Sequence, residues 1–144
     1  MQATWHHTAM AVQDMERAKN FYCDLLGFEI DWERPAYAGE PFEKVVGMPN
    51  ASAHVVMLKG YGSRLELFRY HNPQGCVSEP KRQCDFGLTH FAFTVKNIHE
   101  IYERLSAAGV EFNCPPQNLR PGVWGTYMKD PEGTTIELVQ YDEP

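Results

Sequence analysis

The sequence lacks the features that would assign it to a membrane, a nucleic acid or an oxidising compartment. No apolar stretch approaches the roughly 20 residues that a membrane-spanning helix needs. The formal net charge is −6, so the chain has no excess of positive charge to attract a nucleic acid. The four cysteines form no Cys-x-x-Cys pair, which argues against a zinc finger or a redox motif.

Residues 1–7 contain no basic stretch followed by an apolar run, so we expect no secretory signal and a soluble, cytoplasmic protein. Hydrophobic residues make up 43% of the chain and charged residues 22%, which is ordinary for a globular protein. A length of 144 residues suits one domain, or two half-domains that share a core.

An internal repeat is the strongest pattern in the sequence. Residues 7–14 match residues 90–97 at an offset of 83, and each copy begins with histidine and reaches valine five residues later. Asp14 and Asn97 then occupy positions typical of a helix N-cap. Apolar spacing predicts helices over 15–26 and 98–108, each ended by a glycine.

A second match relates residues 62–70 to residues 133–141 at an offset of 71. The smaller offset indicates that the first half has a longer middle, which we assign to residues 34–50. We therefore predict one domain made of a first module (1–70), a linker (71–86) and a second module (87–144). The predicted strands cover 5–12, 28–33, 52–59 and 63–70 in the first module, and 88–95, 110–113, 123–129 and 134–141 in the second.

Four polar residues occupy matched positions in this repeat. Because side chains alternate along a strand, His7 and His90 share their faces with small residues, while bulky neighbours take the opposite faces. Glu66 and Glu137 each point away from the two apolar residues that flank them. One such residue alone is usually solvated, but two histidines and two glutamates at matched positions favour a metal site. These ligands suit Ni, Co, Zn, Mn or Fe, with positions left open for a substrate.

Two segments carry a resemblance to a known family. Residues 7–28 resemble the opening module of the glyoxalase/bleomycin resistance protein/dioxygenase group, the vicinal oxygen chelate superfamily. Residues 130–138, Asp-Pro-Glu-Gly-Thr-Thr-Ile-Glu-Leu, resemble its closing motif. The resemblance implies an α+β fold of paired βαβββ modules that form an open, cupped mixed sheet. It also implies a homodimer, in which modules are sometimes shared between chains.

The resemblance also implies that His7, Glu66, His90 and Glu137 bind one divalent metal ion. This ligand set is similar to that of bacterial lactoylglutathione lyases. A second possibility is a set of two histidines and one carboxylate with Glu66 unused, as in extradiol dioxygenases. Segments 34–50 and 71–86 depart from the lyase pattern, and the candidates for binding the glutathione carboxylates are few: Arg17, Arg64 and Arg120.

The leading hypothesis is a metal-dependent lyase or isomerase of glyoxalase type. It would act on a small oxygen-chelating substrate, such as a 2-oxoaldehyde thiohemiacetal, through a metal-stabilised enediolate. Glu137 is the expected base, with Glu66 as the alternative. Two other hypotheses remain open: an Fe(II)-dependent dioxygenase, and a non-catalytic resistance protein that binds a small molecule or antibiotic. The expected partner is a small-molecule substrate, with no nucleic acid and no membrane.

Overall fold

The computed structural model describes residues 1–77, 79 and 81–142, and the chain divides into two compact units. The first unit is Met1–Ser78 and the second is Glu79–Pro144. Among the described residues, no helix is long and apolar enough to cross a bilayer.

The first unit is a four-stranded mixed sheet with helices inserted between its strands. The elements are β1 (Thr8–Ala11), α1 (Met15–Lys19) continuing as a π-helical turn (Asn20–Leu25), β2 (Glu29–Ala38), α2 (Glu40–Val46), β3 (Ser52–Gly60) and β4 (Ser63–Asn72). The strand order is β1-β4-β3-β2. The first and last strands pair in parallel, and the other pairs are antiparallel.

The second unit repeats this topology. Its elements are β5 (His90–Thr94), α3 (Ile98–Ala107), β6 (Gln117–Arg120), β7 (Val123–Lys129) and β8 (Thr135–Tyr141). The strand order is β5-β8-β7-β6, again with a parallel pair between the first and last strands. The predicted α+β class with paired βαβββ modules is therefore confirmed.

The two equivalent helices begin in different ways. Asp14 caps α1 as expected, since its side chain accepts a hydrogen bond from the Arg17 amide at 3.0 Å. Asn97 adopts a left-handed conformation and makes no such side-chain bond. Instead, the Ile98 amide donates to the side-chain oxygen of Gln140 at 2.9 Å, so a residue of β8 caps α3. Tertiary contact thus replaces the local cap that the sequence predicted.

The strand predicted at 110–113 is wrong. Phe112 forms only an isolated bridge with Met128, and the edge strand is β6, at Gln117–Arg120. Two hydrogen bonds hold residues 111–113 beside β7, but Cys114, Pro115 and Pro116 follow. Because proline has no amide hydrogen, pairing along β7 is interrupted and resumes only after the two prolines.

The apolar core of each unit lies on the sheet face that contacts a helix. In the first unit α1 packs beside β4, whose Leu65 and Leu67 are buried. In the second unit α3 packs beside β8, whose Ile136 and Leu138 are buried. Alternation along β4 and β8 therefore turns Glu66 and Glu137 to the faces opposite α1 and α3. In the first unit that face also carries a second buried cluster around Phe42.

The turn before β8 is held together by one buried carboxylate. Asp130 is 5% exposed, and its Oδ1 accepts hydrogen bonds from the amides of Glu132 (2.9 Å) and Thr134 (2.7 Å). The amide of Gly133, at a φ of 86°, donates to the Asp130 carbonyl at 3.0 Å. The closing motif is thus a capped turn that determines where β8 starts.

Replacing this carboxylate should destabilise the second unit. We expect Asp130→Ala to lower the free energy of unfolding by about 1–3 kcal/mol, because two partly buried amides lose their acceptor. Urea-induced unfolding followed by circular dichroism measures the change. The control is Glu111→Ala, an exposed carboxylate expected to shift stability by less than about 0.5 kcal/mol. Equal effects of the two substitutions would contradict the assigned role of the turn.

Candidate metal centre

The first unit brings His7 and Glu66 together. His7 directly precedes β1, and Glu66 lies on β4 opposite Ala9 in the parallel pair. The Nε2 atom of His7 is 3.1 Å from Oε2 of Glu66, and the two side chains are 33% and 15% exposed. Parallel pairing of the first and last strands therefore places an imidazole and a carboxylate side by side at a partly open surface.

The second unit repeats this arrangement in the same register. Glu137 on β8 lies opposite Ala92, the repeat counterpart of Ala9. The Nε2 atom of His90 is 3.3 Å from Oε2 of Glu137, with side-chain exposures of 29% and 19%. The four residues predicted from the sequence thus form two pairs, one within each unit. In the described part of the chain, no group of three or more potential ligands forms a cation site. The four-ligand set therefore stays a prediction.

Gln83 and Thr89 both contact Nδ1 of His90, and the Thr89 hydroxyl oxygen lies 3.1 Å from that nitrogen. Oε1 of Gln83 lies 3.1 Å from Nδ1 of His90, while Nε2 of Gln83 donates to Thr135 Oγ1 at 2.9 Å and to the Thr89 carbonyl at 3.5 Å. Because a backbone carbonyl can only accept, this amide orientation turns Oε1 toward Nδ1 and favours a proton there, and the Thr89 hydroxyl can accept from the same Nδ1–H. In the neutral imidazole, the lone pair of Nε2 then faces Glu137.

This tautomer leaves two acceptors facing each other. The Nε2 lone pair and the Glu137 carboxylate repel at 3.3 Å unless a proton or a metal cation lies between them. The situation in the first unit differs, because Nδ1 of His7 contacts Nδ1 of the neighbouring His6 at 2.7 Å. One of these two nitrogens must donate and the other accept. His6 thus contacts the second ring nitrogen of His7, and its position in the sequence did not indicate this role.

Comparison with known proteins identifies the family. The profile of the glyoxalase/bleomycin resistance protein/dioxygenase superfamily matches residues 4–138. The chain belongs to this superfamily. It is similar to a probable lactoylglutathione lyase of Synechocystis sp., with 27% identity over 135 residues that cover 93% of this chain and 92% of the relative.

Two further proteins are similar to the chain. A 2-epi-5-epi-valiolone epimerase of Actinomyces sp. is 29% identical over 143 residues, covering 93% of this chain and 77% of the epimerase. The crystal structure of a glyoxalase family protein from Bacillus cereus matches with a TM-score of 0.89 and 20% identity, covering 99% of this chain and 97% of that one. At this identity the structural match establishes the fold alone.

The His–Glu pairs have the donor chemistry and spacing that a divalent metal requires. Superfamily members commonly use such an ion. Two ligand atoms about 2.1 Å from one ion are about 3.0 Å apart at a right angle and about 3.4 Å apart at a tetrahedral angle. The observed separations of 3.1 Å and 3.3 Å fall within this range. Gln83 also supplies the second hydrogen bond that metal-binding histidines usually make.

A tyrosine accompanies the carboxylate of each unit. Tyr127 lies opposite Glu137 in the β7–β8 pair, and its ring centroid is 5.0 Å from that of His90. Burial, followed by the charge of Glu137, raises the pKa of Tyr127. Burial and the charge of Glu66 likewise raise the pKa of Tyr70. Both phenols therefore remain neutral at physiological pH, and Tyr127 lies beside the His90–Glu137 pair.

The other sequence candidates have structural roles. Arg64 pairs with Asp31 at 3.4 Å, and Arg17 and Arg120 are exposed on α1 and β6. His54, which has no counterpart in the repeat, contacts Glu33 at 2.6 Å. Hydrogen bonding to this histidine is the largest cause that lowers the pKa of Glu33. Of the cations considered for glutathione binding, Arg64 is thus already paired with a carboxylate.

The role of Gln83 can be tested by nuclear magnetic resonance. At about pH 9, where histidines are neutral, the metal-free protein should carry the His90 proton on Nδ1. In Gln83→Leu the proton should move to Nε2, because the Glu137 carboxylate then offers the stronger acceptor. Long-range ¹H–¹⁵N spectra distinguish the two tautomers.

The matched control is Gln117→Leu, which removes an exposed glutamine whose side chain contacts Pro115 and Pro116 instead of a histidine. It should leave the His90 tautomer unchanged. If His90 carries its proton on Nε2 in the wild-type protein, the assigned role of Gln83 is incorrect.

Proposed function

We propose that this protein is a metal-dependent lyase or isomerase of glyoxalase type that acts on a small oxygen-chelating substrate. One divalent ion is held by His7, Glu66, His90 and Glu137. The observation that carries this proposal is the duplicated pair of imidazole and carboxylate, in the same strand register and at 3.1 Å and 3.3 Å. Strand pairing alone does not require a histidine and a glutamate at these positions, so their recurrence favours a common ligand.

The reaction class is supported by what the similar proteins are named for. One is a probable lactoylglutathione lyase and another is an epimerase. An epimerase inverts a carbon centre, and a positioned base can do so by removing a proton and allowing its return. A carboxylate beside a bound oxygen atom of the substrate is suited to that step. We therefore prefer an isomerase or lyase over a dioxygenase and over a protein that only sequesters a small molecule.

Each residue has a distinct role in this proposal. A bound divalent ion supplies Lewis acidity to adjacent oxygen atoms of a substrate. His90 is oriented by Gln83 so that Nε2 is available as a ligand. Glu137 is the base that removes and returns a carbon-bound proton, with Glu66 as the alternative. Both carboxylates are largely shielded, at 19% and 15% exposure, which limits the water that competes for a transferred proton.

The proposal also covers the domain organisation, the oligomeric state and the cellular location. The chain acts as one glyoxalase-like domain of two modules, residues 1–70 and 87–144, joined by a linker at 71–86. It functions as a homodimer in the cytoplasm.

Metal content is the first measurement. Elemental analysis of the purified protein should find about one Ni, Co, Zn, Mn or Fe per chain. His90→Ala should lower the affinity for that metal at least tenfold, because a ligand is lost. The control is His99→Ala, a histidine of the same unit that contacts the Trp124 ring at 4.9 Å instead of a carboxylate. Iron together with oxygen consumption would favour the dioxygenase. No metal, and no thermal shift on adding metals, would favour the non-catalytic binder.

Proton transfer tests the assigned base. With thiohemiacetals of 2-oxoaldehydes as substrates, Glu137→Gln should lower kcat by about 10²–10⁴-fold, because an amide cannot remove the proton. Metal content of the variant must be measured in parallel, since Glu137 is also a proposed ligand. The comparison is Glu66→Gln. A larger loss in Glu66→Gln than in Glu137→Gln, at equal metal content, would transfer the role of base to Glu66.

A further inference from the structure

The first unit contains a helix that the described part of the second unit does not repeat. The two sequence offsets, 83 and 71, differ by 12 residues, and α2 (Glu40–Val46) lies in this additional length. The equivalent connection in the second unit, between β6 and β7, consists of Pro121 and Gly122 alone. The fold and the His–Glu pair are therefore common to both units, whereas α2 is not.

The additional helix packs on the sheet face that carries Glu66. Phe68 and Tyr70 follow Glu66 at alternate positions of β4, so all three side chains share one face. Phe42 of α2 is 7% exposed and stacks on Phe68 and on Tyr70, with both pairs of ring centroids 6.4 Å apart. The planes of these pairs differ by 6° and 12°.

A fourth ring completes the cluster. Tyr37, on β2, lies with its ring centroid 4.7 Å from that of Phe42. We call Tyr37, Phe42, Phe68 and Tyr70 the ring wall. Ala53 and Val55 on β3, opposite Tyr70 and Phe68, are fully buried and form its floor. Three of the four rings remain partly exposed, so the wall presents an aromatic surface.

The ring wall begins directly beside the proposed metal ligands. Alternate residues of a strand are about 7 Å apart, so Phe68 is the immediate neighbour of Glu66 along the same face. The repeat counterparts in the second unit are Val139 and Tyr141, and Val139 lies opposite Gly125. The second unit thus has the ligand pair without the four-ring cluster. If the oxygen atoms of a substrate are held near Glu66, a group attached to them would first meet the ring wall.

Two arginines lie near the ring wall, and they differ in their partners. The guanidinium of Arg34 lies over the rings of Tyr37 and Trp32, at 5.1 Å and 5.8 Å from their centroids. Arg64, on the Glu66 face, pairs with Asp31. The Asp31 carboxylate compensates the charge of Arg64, whereas the contact of Arg34 with aromatic rings does not itself neutralise its charge. The contact of Arg34 shows that the face of Tyr37 is available for stacking by a flat group.

We infer that the ring wall binds an aromatic or flat apolar group of the substrate, attached to the oxygen atoms that the metal site chelates. This inference rests on the proposed function and specifies its substrate class. Phe68 and Tyr70 determine specificity by stacking on this group, and they take no part in proton transfer.

Two chelators that differ in the attached group test the inference. Acetohydroxamate and benzohydroxamate present the same pair of oxygen atoms, but only the second carries a ring. Titration calorimetry with the metal-loaded protein should show benzohydroxamate binding about tenfold more tightly. In Phe68→Leu this advantage should fall to about twofold, while the affinity for acetohydroxamate stays unchanged. The control is Phe91→Leu, on the face of β5 opposite His90, which should keep the full advantage.

The outcomes separate the inference from the proposed function. If both chelators bind with the same ratio in the wild type and in Phe68→Leu, the ring wall is not a substrate surface and the metal site stands. If neither chelator binds, the proposed function and the inference both fail. If Phe68→Leu changes the sedimentation behaviour and leaves the ratio unaltered, the rings form an interface between copies of the chain, and the inference is overturned. Tyr70→Leu repeats the test should Phe68→Leu not fold.

Discussion

Parallel pairing of the first and last strands of each unit is the constraint on which the candidate site depends. It aligns Ala9 with Glu66 and Ala92 with Glu137, so the histidine two residues before each alanine lies beside a carboxylate. The helix between the paired strands buries Leu65 and Leu67, or Ile136 and Leu138, on the opposite face. The same alternation that forms the core therefore directs both glutamates away from it.

The two units share this framework and differ in what surrounds it. In the second unit Gln83 orients His90, and Tyr127 packs against the imidazole. In the first unit His6 contacts Nδ1 of His7, and α2 adds an aromatic ring to the sheet face that carries Glu66. The two units therefore share the His–Glu pair and differ in the residues that surround it.

Most of the fold was predictable because the repeat doubles each signal. The paired glutamates, the helix starts near Asp14 and Asn97, and the central strands all follow from matched positions. The edge strand β6 was not predictable, because two prolines interrupt the pairing along β7 and the strand begins only after them. The role of Gln83 was not predictable, because no periodic pattern marks a residue of the linker. This role depends on a side-chain contact with His90.

The sequence by itself indicated the superfamily through the resemblance of residues 7–28 and 130–138 to its motifs. It also determined the duplicated order of strands and helix and the four candidate ligands, because strand alternation and repeat register are local properties of the chain. Tertiary structure alone decided the contact of Gln83 with Nδ1 of His90, the cap of α3 by Gln140, and the stacking of Phe42 on Phe68. Each of these depends on a side chain from another element coming within a few ångströms. Such contacts follow from the packing of the folded chain and leave no periodic pattern in the sequence.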